Sequence, residues 1–176
     1  AAESLARADR TIEAKHWIAA LKDRDWWIRI IAARQLARVT PAQNASVIGA
    51  LVTALQDDSP NVREEVAKAL GQVGTTACVD PLIDAFSDSN WNVGVAAACA
   101  LAEIGEPAME TLLNRLPDLD ESGRRKAVLA IQYSDPDRMR DLYLQSLKSE
   151  HGDVREGFLY AAIQHKLPEA LDLAQA

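Results

Sequence analysis

Residues 55–74, LQDDSPNVREEVAKALGQVG, decide the fold. Val62, Val66, Ala67, Leu70 and Val73 recur at three- and four-residue steps, with Glu64, Glu65, Lys68 and Gln72 between them. That spacing predicts a helix with one apolar face. Ser59 stands at the expected N-cap, Pro60 in the first turn, Glu64 and Glu65 towards the positive end of the helix dipole, and Gly74 at the C-cap. The preceding DDSP consists of residues that favour tight turns.

The same pattern recurs on both sides. Leu21, Leu55, Phe86, Leu116 and Leu147 align, and Arg29, Arg63, Gly94, Arg124 and Arg155 follow eight residues later. Leu36, Leu70, Leu101, Ile131 and Ala162 form a second apolar column, and Ala33, Ala67, Ala98, Val128 and Leu159 a third. The repeat spacings are 34, 31, 30 and 31 residues. Coincident apolar columns at such a period predict an array of units, each burying its apolar face against its neighbours.

A shorter helical segment opens each unit: Trp17, Ile18 and Leu21; Leu51, Val52 and Leu55; Leu82, Ile83 and Phe86; Leu112, Leu113 and Leu116; Tyr143, Leu144 and Leu147. Five helix pairs are therefore expected at about 10–39, 44–73, 76–104, 107–133 and 137–165, within a single domain over 1–176. Residues 166–176 either cap the stack or open a further unit, with Leu167, Leu171 and Ala174 along one face. Pro81 conflicts with its segment, so that helix either starts near Asp80 and Pro81 or bends there.

The run D-x-x-x-x-V-R-x-x-(A/V)-A-x-A-L-G-x-(V/I)-G, at Asp57 to Gly74 and in weaker form at Asp88 to Gly105, resembles the HEAT repeat, in particular the short PBS-lyase HEAT-like repeat. The resemblance covers nearly the whole chain and implies an all-α, right-handed α-α superhelix. It also implies a ladder in which Asp57, Asp88 and Asp118 of the inter-helix turns bond with Arg63, Arg124 and Arg155 of neighbouring second helices. Gly94 interrupts the arginine column, which loosens the stack or clears space at its surface.

Composition narrows the function classes. At 48% hydrophobic and 26% charged, the chain reads as a folded globular protein without a membrane span. AAESLARADR, with charges throughout, does not read as a signal peptide. A net charge of −7 argues against nucleic acid as the partner, because such binding needs a positive face. Arg124, Arg125 and Lys126 form a short basic cluster that reads as solvated helix charge, as do Arg34, Arg38 and Lys68. Cys78 and Cys99 read as two buried small apolar residues, and the absence of a disulfide framework points to the cytoplasm.

No catalytic constellation is legible. His16, His151 and His165 share no metal-ligand spacing, no His-Glu dipeptide is present, and no nucleophile elbow or phosphate-binding glycine loop occurs. The expectation is a non-enzyme without metal or cofactor. The second helices of such arrays line the concave side, and there the chain departs from polar: Trp26, Trp27, Ile30 and Ile31 in the first unit, Trp91 and Val95 in the third, Leu129, Tyr133 and Tyr160 beyond. Trp26, Trp27, Ile30, Trp91, Val95 and Tyr160 are the candidate contacts for a partner protein or peptide, since exposed aromatic residues are enriched in binding hot spots. The alternative for Trp26 and Trp27 is a cover formed by Ala1 to Arg10; for Trp91 it is packing over the inter-helix turn.

The leading expectation is a protein-binding scaffold. The resemblance implies a second role, that of a phycobilin lyase-like subunit or chaperone handling a tetrapyrrole or its carrier protein. A third, a DNA-binding protein similar to HEAT-like alkylpurine glycosylases, has the negative charge against it.

Overall fold

The computed structural model describes residues 14–39, 45–134 and 152–164. Its elements are α1 (14–20), α2 (Trp26–Val39), α3 (Ala45–Ala54), α4 (Pro60–Val73), α5 (Val79–Asp84), α6 (Trp91–Ile104), α7 (Glu106–Arg115), α8 (Glu121–Gln132) and α9 (Gly152–Gln164). Short 3-10 turns at Thr76–Cys78, Ala85–Ser87 and Leu116–Asp118 flank the first helices, and no strand occurs among the described residues. The architecture is an all-α solenoid of HEAT-like pairs: α1 with α2, α3 with α4, α5 with α6, α7 with α8. The first helix of the fifth expected unit, with Tyr143, Leu144 and Leu147, and the segment from Leu167 lie outside the described residues.

The second helices form one continuous row, α2 on α4 on α6 on α8 on α9, and the first helices α3, α5 and α7 lie against their own second helices α4, α6 and α8. Small residues let that row close up. A Cβ at Gly71 would stand 2.7 Å from the Ala100 backbone, and one at Gly157 would stand 2.6 Å from Val128. Leu36, Leu51, Leu70, Leu82, Ile83, Phe86, Leu101, Met109 and Leu112 are fully buried between the two layers. At about 25 cal/mol per Å2 of apolar surface, such side chains contribute roughly 1.5–3 kcal/mol each, and their layering makes each unit depend on the next.

Local sequence explains where the helices stop. Gly74 takes φ +68° and its N–H closes on the Leu70 carbonyl; Gly105, at φ +90°, ends α6 and opens α7. A side chain would be strained at either position. α5 starts at Val79, so Pro81 occupies its first turn, where a missing N–H costs no intrahelical bond. That settles the conflict in favour of a late start over a bend.

Candidate functional site

Along the edge where each first helix turns into its second, charged side chains tie unit to unit. Arg29 donates from Nε and Nη2 to the two carboxylate oxygens of Asp57, both at 2.7 Å, and from Nη1 to the Asp23 carbonyl at 2.8 Å. Arg63 repeats this one unit on: Nε and Nη2 reach Asp88 at 2.7 and 2.9 Å, and Nη1 the Asp57 carbonyl at 2.7 Å. Each arginine thus closes its own turn and binds the next unit's acid through a two-pronged pair. The acids also brace the turns that lead into α4 and α6, since Asp57 accepts the Ser59 N–H and Asp88 the Asn90 N–H, each through Oδ1. Ser59 is the N-cap residue of α4, but its side chain makes no capping bond.

This geometry fixes the titration of both acids. Burial pushes the Asp57 carboxyl up, but hydrogen bonds from Arg29 and Ser59, with the Arg29 charge, more than offset it, so it lies below the usual carboxylate range. The Arg63 hydrogen bonds hold Asp88 down against a smaller effect of burial. Both guanidiniums are raised in turn, chiefly by hydrogen bonds to their acids.

The third rung is different. Gly94 has no side chain to donate, and Asp118, expected as the acid of this rung, is 74% exposed; its nearest cation is Arg115 of its own unit at 4.0 Å. Lys126 enters from α8 instead. Its Nζ donates to the Phe86 carbonyl of the third unit and to Ser122 Oγ at 3.1 Å, and its stem occupies the space above Gly94, with Cε 2.5 Å from where a Cβ would stand. Lys126 is only 2% exposed, so the expectation of a solvated charge fails there. The signal that could have found it was Gly94 itself, because a lost side chain in a regular column leaves room that a neighbour fills. Arg124 donates to the Leu119 carbonyl, closing its own turn at 2.6 Å, while the next inter-unit turn lies outside the described residues. Arg155 is exposed in the first turn of α9.

The aromatic residues are brought to the same edge only in part. Trp26 and Trp27 open α2 in an edge-to-face pair with centroids 5.7 Å apart, and both are exposed. The Ala1 to Arg10 segment that could cover them lies outside the described residues. Trp91 opens α6 behind an Asn90 cap, is 50% exposed, and holds one ring face 5.1 Å from the Lys126 Nζ. Ile30 is a correction: at 4% exposed it belongs to the core cluster, because its side of α2 turns inward, and it cannot touch a partner. Val95 is half-buried, whereas Tyr160 and Tyr133 are exposed.

Across the row of second helices, character changes from end to end. In the first two units Arg34 pairs with Glu65 at 2.7 and 3.0 Å, and Lys68 with Glu64 at 2.6 Å. In the later units the matching positions are Cys99, Leu129 and Tyr160. Cys99 is exposed on α6, so the reading of two buried cysteines holds for Cys78 alone. Among the described residues no group of three or more His, Cys, Asp or Glu side chains could hold a metal ion, and no helix is long and apolar enough to cross a membrane.

The HEAT repeats family matches residues 14–84. A stretch of the chain is 35% identical over 82 residues to phycocyanobilin lyase subunit alpha of Picosynechococcus sp., covering 40% of this chain and 31% of that protein. The chain therefore spans about a third of the length of the curated relative it matches. Among solved structures, the complex of CpcE and CpcF of phycocyanin lyase from Nostoc sp. aligns with a TM-score of 0.56 at 22% identity, over 91% of this chain and 68% of that one. The chain is a HEAT-repeat protein, and its repeats are similar to the PBS-lyase HEAT-like type. The expectation of a non-enzyme is corrected by the curated relative, which is named as a lyase subunit.

Proposed function

We propose that this chain serves a phycobilin lyase-type activity, handling an open-chain tetrapyrrole or the protein that carries it. The observation that carries this reading is the 35% identity to a phycocyanobilin lyase subunit alpha. The geometry supports it with exposed aromatic rings on rigid helix ends, which offer flat apolar contact at low entropic cost. The contacts we assign to the partner are Trp26, Trp27, Trp91 and Tyr160, with half-buried Val95 beside them. The cytoplasm is the compartment that fits two unbonded cysteines, Cys78 and Cys99.

Mixing the chain with phycocyanobilin tests the reading, with a changed bilin absorption spectrum as the expected result. An unchanged spectrum, both with the chain alone and with a phycocyanin subunit added, removes it. Trp91→Ala tests the surface: the melting temperature should move little, while binding of the bilin or of its carrier weakens by about 2 kcal/mol, the scale of an aromatic hot spot. A destabilised variant that still binds normally would remove Trp91 from the site.

A further inference from the structure

Lys126 is the one cation of the turn edge that is nearly sealed from water and has no acid among the described residues within ion-pair distance. Arg29 and Arg63 each hold a carboxylate. The Lys126 ammonium instead meets a carbonyl oxygen of Phe86, the hydroxyl of Ser122 and the face of Trp91, all neutral. Asp88, held by Arg63, lies beyond ion-pair distance of the ammonium and acts on it only through space. A buried charge without a counter-charge is costly, and burial normally comes with pairing. The Trp91 ring over this ammonium belongs to the first turn of a helix, and half of its surface is in solvent. Glycine at 94 leaves the room this lysine occupies, since a Cβ there would meet its Cε at 2.5 Å and its Nζ at 3.2 Å.

We propose that Lys126 and Trp91 form an anchor for a flat, conjugated carboxylic acid: a rotation of the Trp91 side chain opens the ammonium to one ligand carboxylate, and the indole then stacks on the adjoining ring. The carboxylate supplies the missing counter-charge through a charge-assisted hydrogen bond, and the ring replaces water on the exposed indole face. Bond-making is purely non-covalent, with Ser122 and the Phe86 carbonyl keeping the remaining ammonium protons. The inference rests on the tetrapyrrole reading above, since an open-chain bilin is a conjugated chain of rings carrying two propionates, and it adds the residue that holds one of them.

Phycocyanobilin and its dimethyl ester separate the two ideas. Each is titrated into the wild-type chain, with tryptophan quenching and bilin absorbance as readouts. The free acid should bind roughly tenfold more tightly than the ester, the worth of one charge-assisted contact. Lys126→Met should erase that preference, Lys126→Arg should keep most of it, and Trp91→Ala should weaken acid and ester alike. Equal affinities of acid and ester for the wild-type chain overturn the anchor and leave the tetrapyrrole reading standing; so does a folded Lys126→Met chain that still prefers the acid. Binding of neither form overturns the anchor, and binding of neither form with a phycocyanin subunit added as well overturns the tetrapyrrole reading with it. Should Lys126→Met fail to fold, the acid-to-ester ratio of the wild type and of Lys126→Arg still decides.

Discussion

The seam between the second and third units and the seam between the third and fourth do the same work with different chemistry. At the first, Arg63 clamps Asp88 through two bonds while closing its own turn. At the second, the arginine is replaced by Gly94, and Lys126 reaches back from the following unit to a backbone carbonyl. One seam neutralises its charge internally, and the other holds a buried charge against neutral acceptors. A solenoid whose units touch only their neighbours can vary one joint without disturbing the rest. The irregular joint is where exposed Trp91 stands, and that coincidence makes it the candidate site.

The largest effect should come from breaking the regular rung. Asp88→Ala leaves Arg63 without its carboxylate and exposes the Asn90 N–H, at a cost of about 3–5 kcal/mol by denaturant unfolding. Leu70→Ala, beneath the same seam, should cost about 2–5 kcal/mol through its cavity. If the aspartate change cost under about 1 kcal/mol, the ladder would be a surface ion pair and the contrast between the seams would vanish.

Forcing the irregular seam towards the regular one should cost less. Gly94→Arg drives a side chain into the Lys126 stem and should destabilise by about 1–3 kcal/mol, as overpacking does. Combined with Lys126→Ala the clash is gone, so the double variant should be more stable than the sum of the single changes predicts, by at least about 0.5 kcal/mol. Strict additivity would mean that the two residues do not share that space.

How much of this was legible in the sequence depended on whether a feature repeats. Five copies of a column overdetermine a helix, so the apolar positions Leu36, Leu70 and Leu101 emerged buried as expected. The rungs were legible in type but not in register, because column alignment cannot tell which unit supplies the acid: Arg29 takes Asp57 and Arg63 takes Asp88, while Asp118 takes no part. Features without a repeated column are harder to place, and two differ from the reading. Lys126 looked like surface charge beside Arg124 and Arg125, because burial of a lysine depends on a space opened 32 residues away at Gly94. Ile30 looked exposed because the polar second unit served as the template, and its counterpart there is Glu64. The lyase likeness was legible only through the repeat motif at Asp57 to Gly74, with no catalytic residue beside it.

Acid should distinguish the seams more gently. Asp57 and Asp88 titrate below the ordinary aspartate value of 3.8 in the folded chain. Their contribution is therefore complete above about pH 4 and is lost as pH falls through their lowered values, where the folded state must take up protons it resists. The seam at Gly94 and Lys126 has no such carboxylate. Hydrogen exchange, corrected for intrinsic rates, should show the Ser59 and Asn90 amides losing protection as pH falls below about 4, ahead of the Ala108 and Met109 amides, which bond to the Gly105 backbone carbonyl and not to a carboxylate. Uniform loss across all seams would mean that the rungs carry none of the acid sensitivity.

The smallest effect belongs to the charged end of the second-helix row. Lys68 and Glu64 lie one helical turn apart on α4 and meet at 2.6 Å, but the lysine is about half exposed, so water and salt screen the pair. Loss of such a contact is worth about 0.3–0.5 kcal/mol, and Lys68→Ala regains part of it through the higher helix propensity of alanine. The variant should therefore melt within about 0.5 kcal/mol of the wild type, only two residues from Leu70, whose truncation costs several times more. Equal damage from the two changes would place Lys68 in the core and shift the register of α4 by at least one residue. That shift would also move Arg63 off the turn edge, and with it the regular seam against which the irregular one is defined.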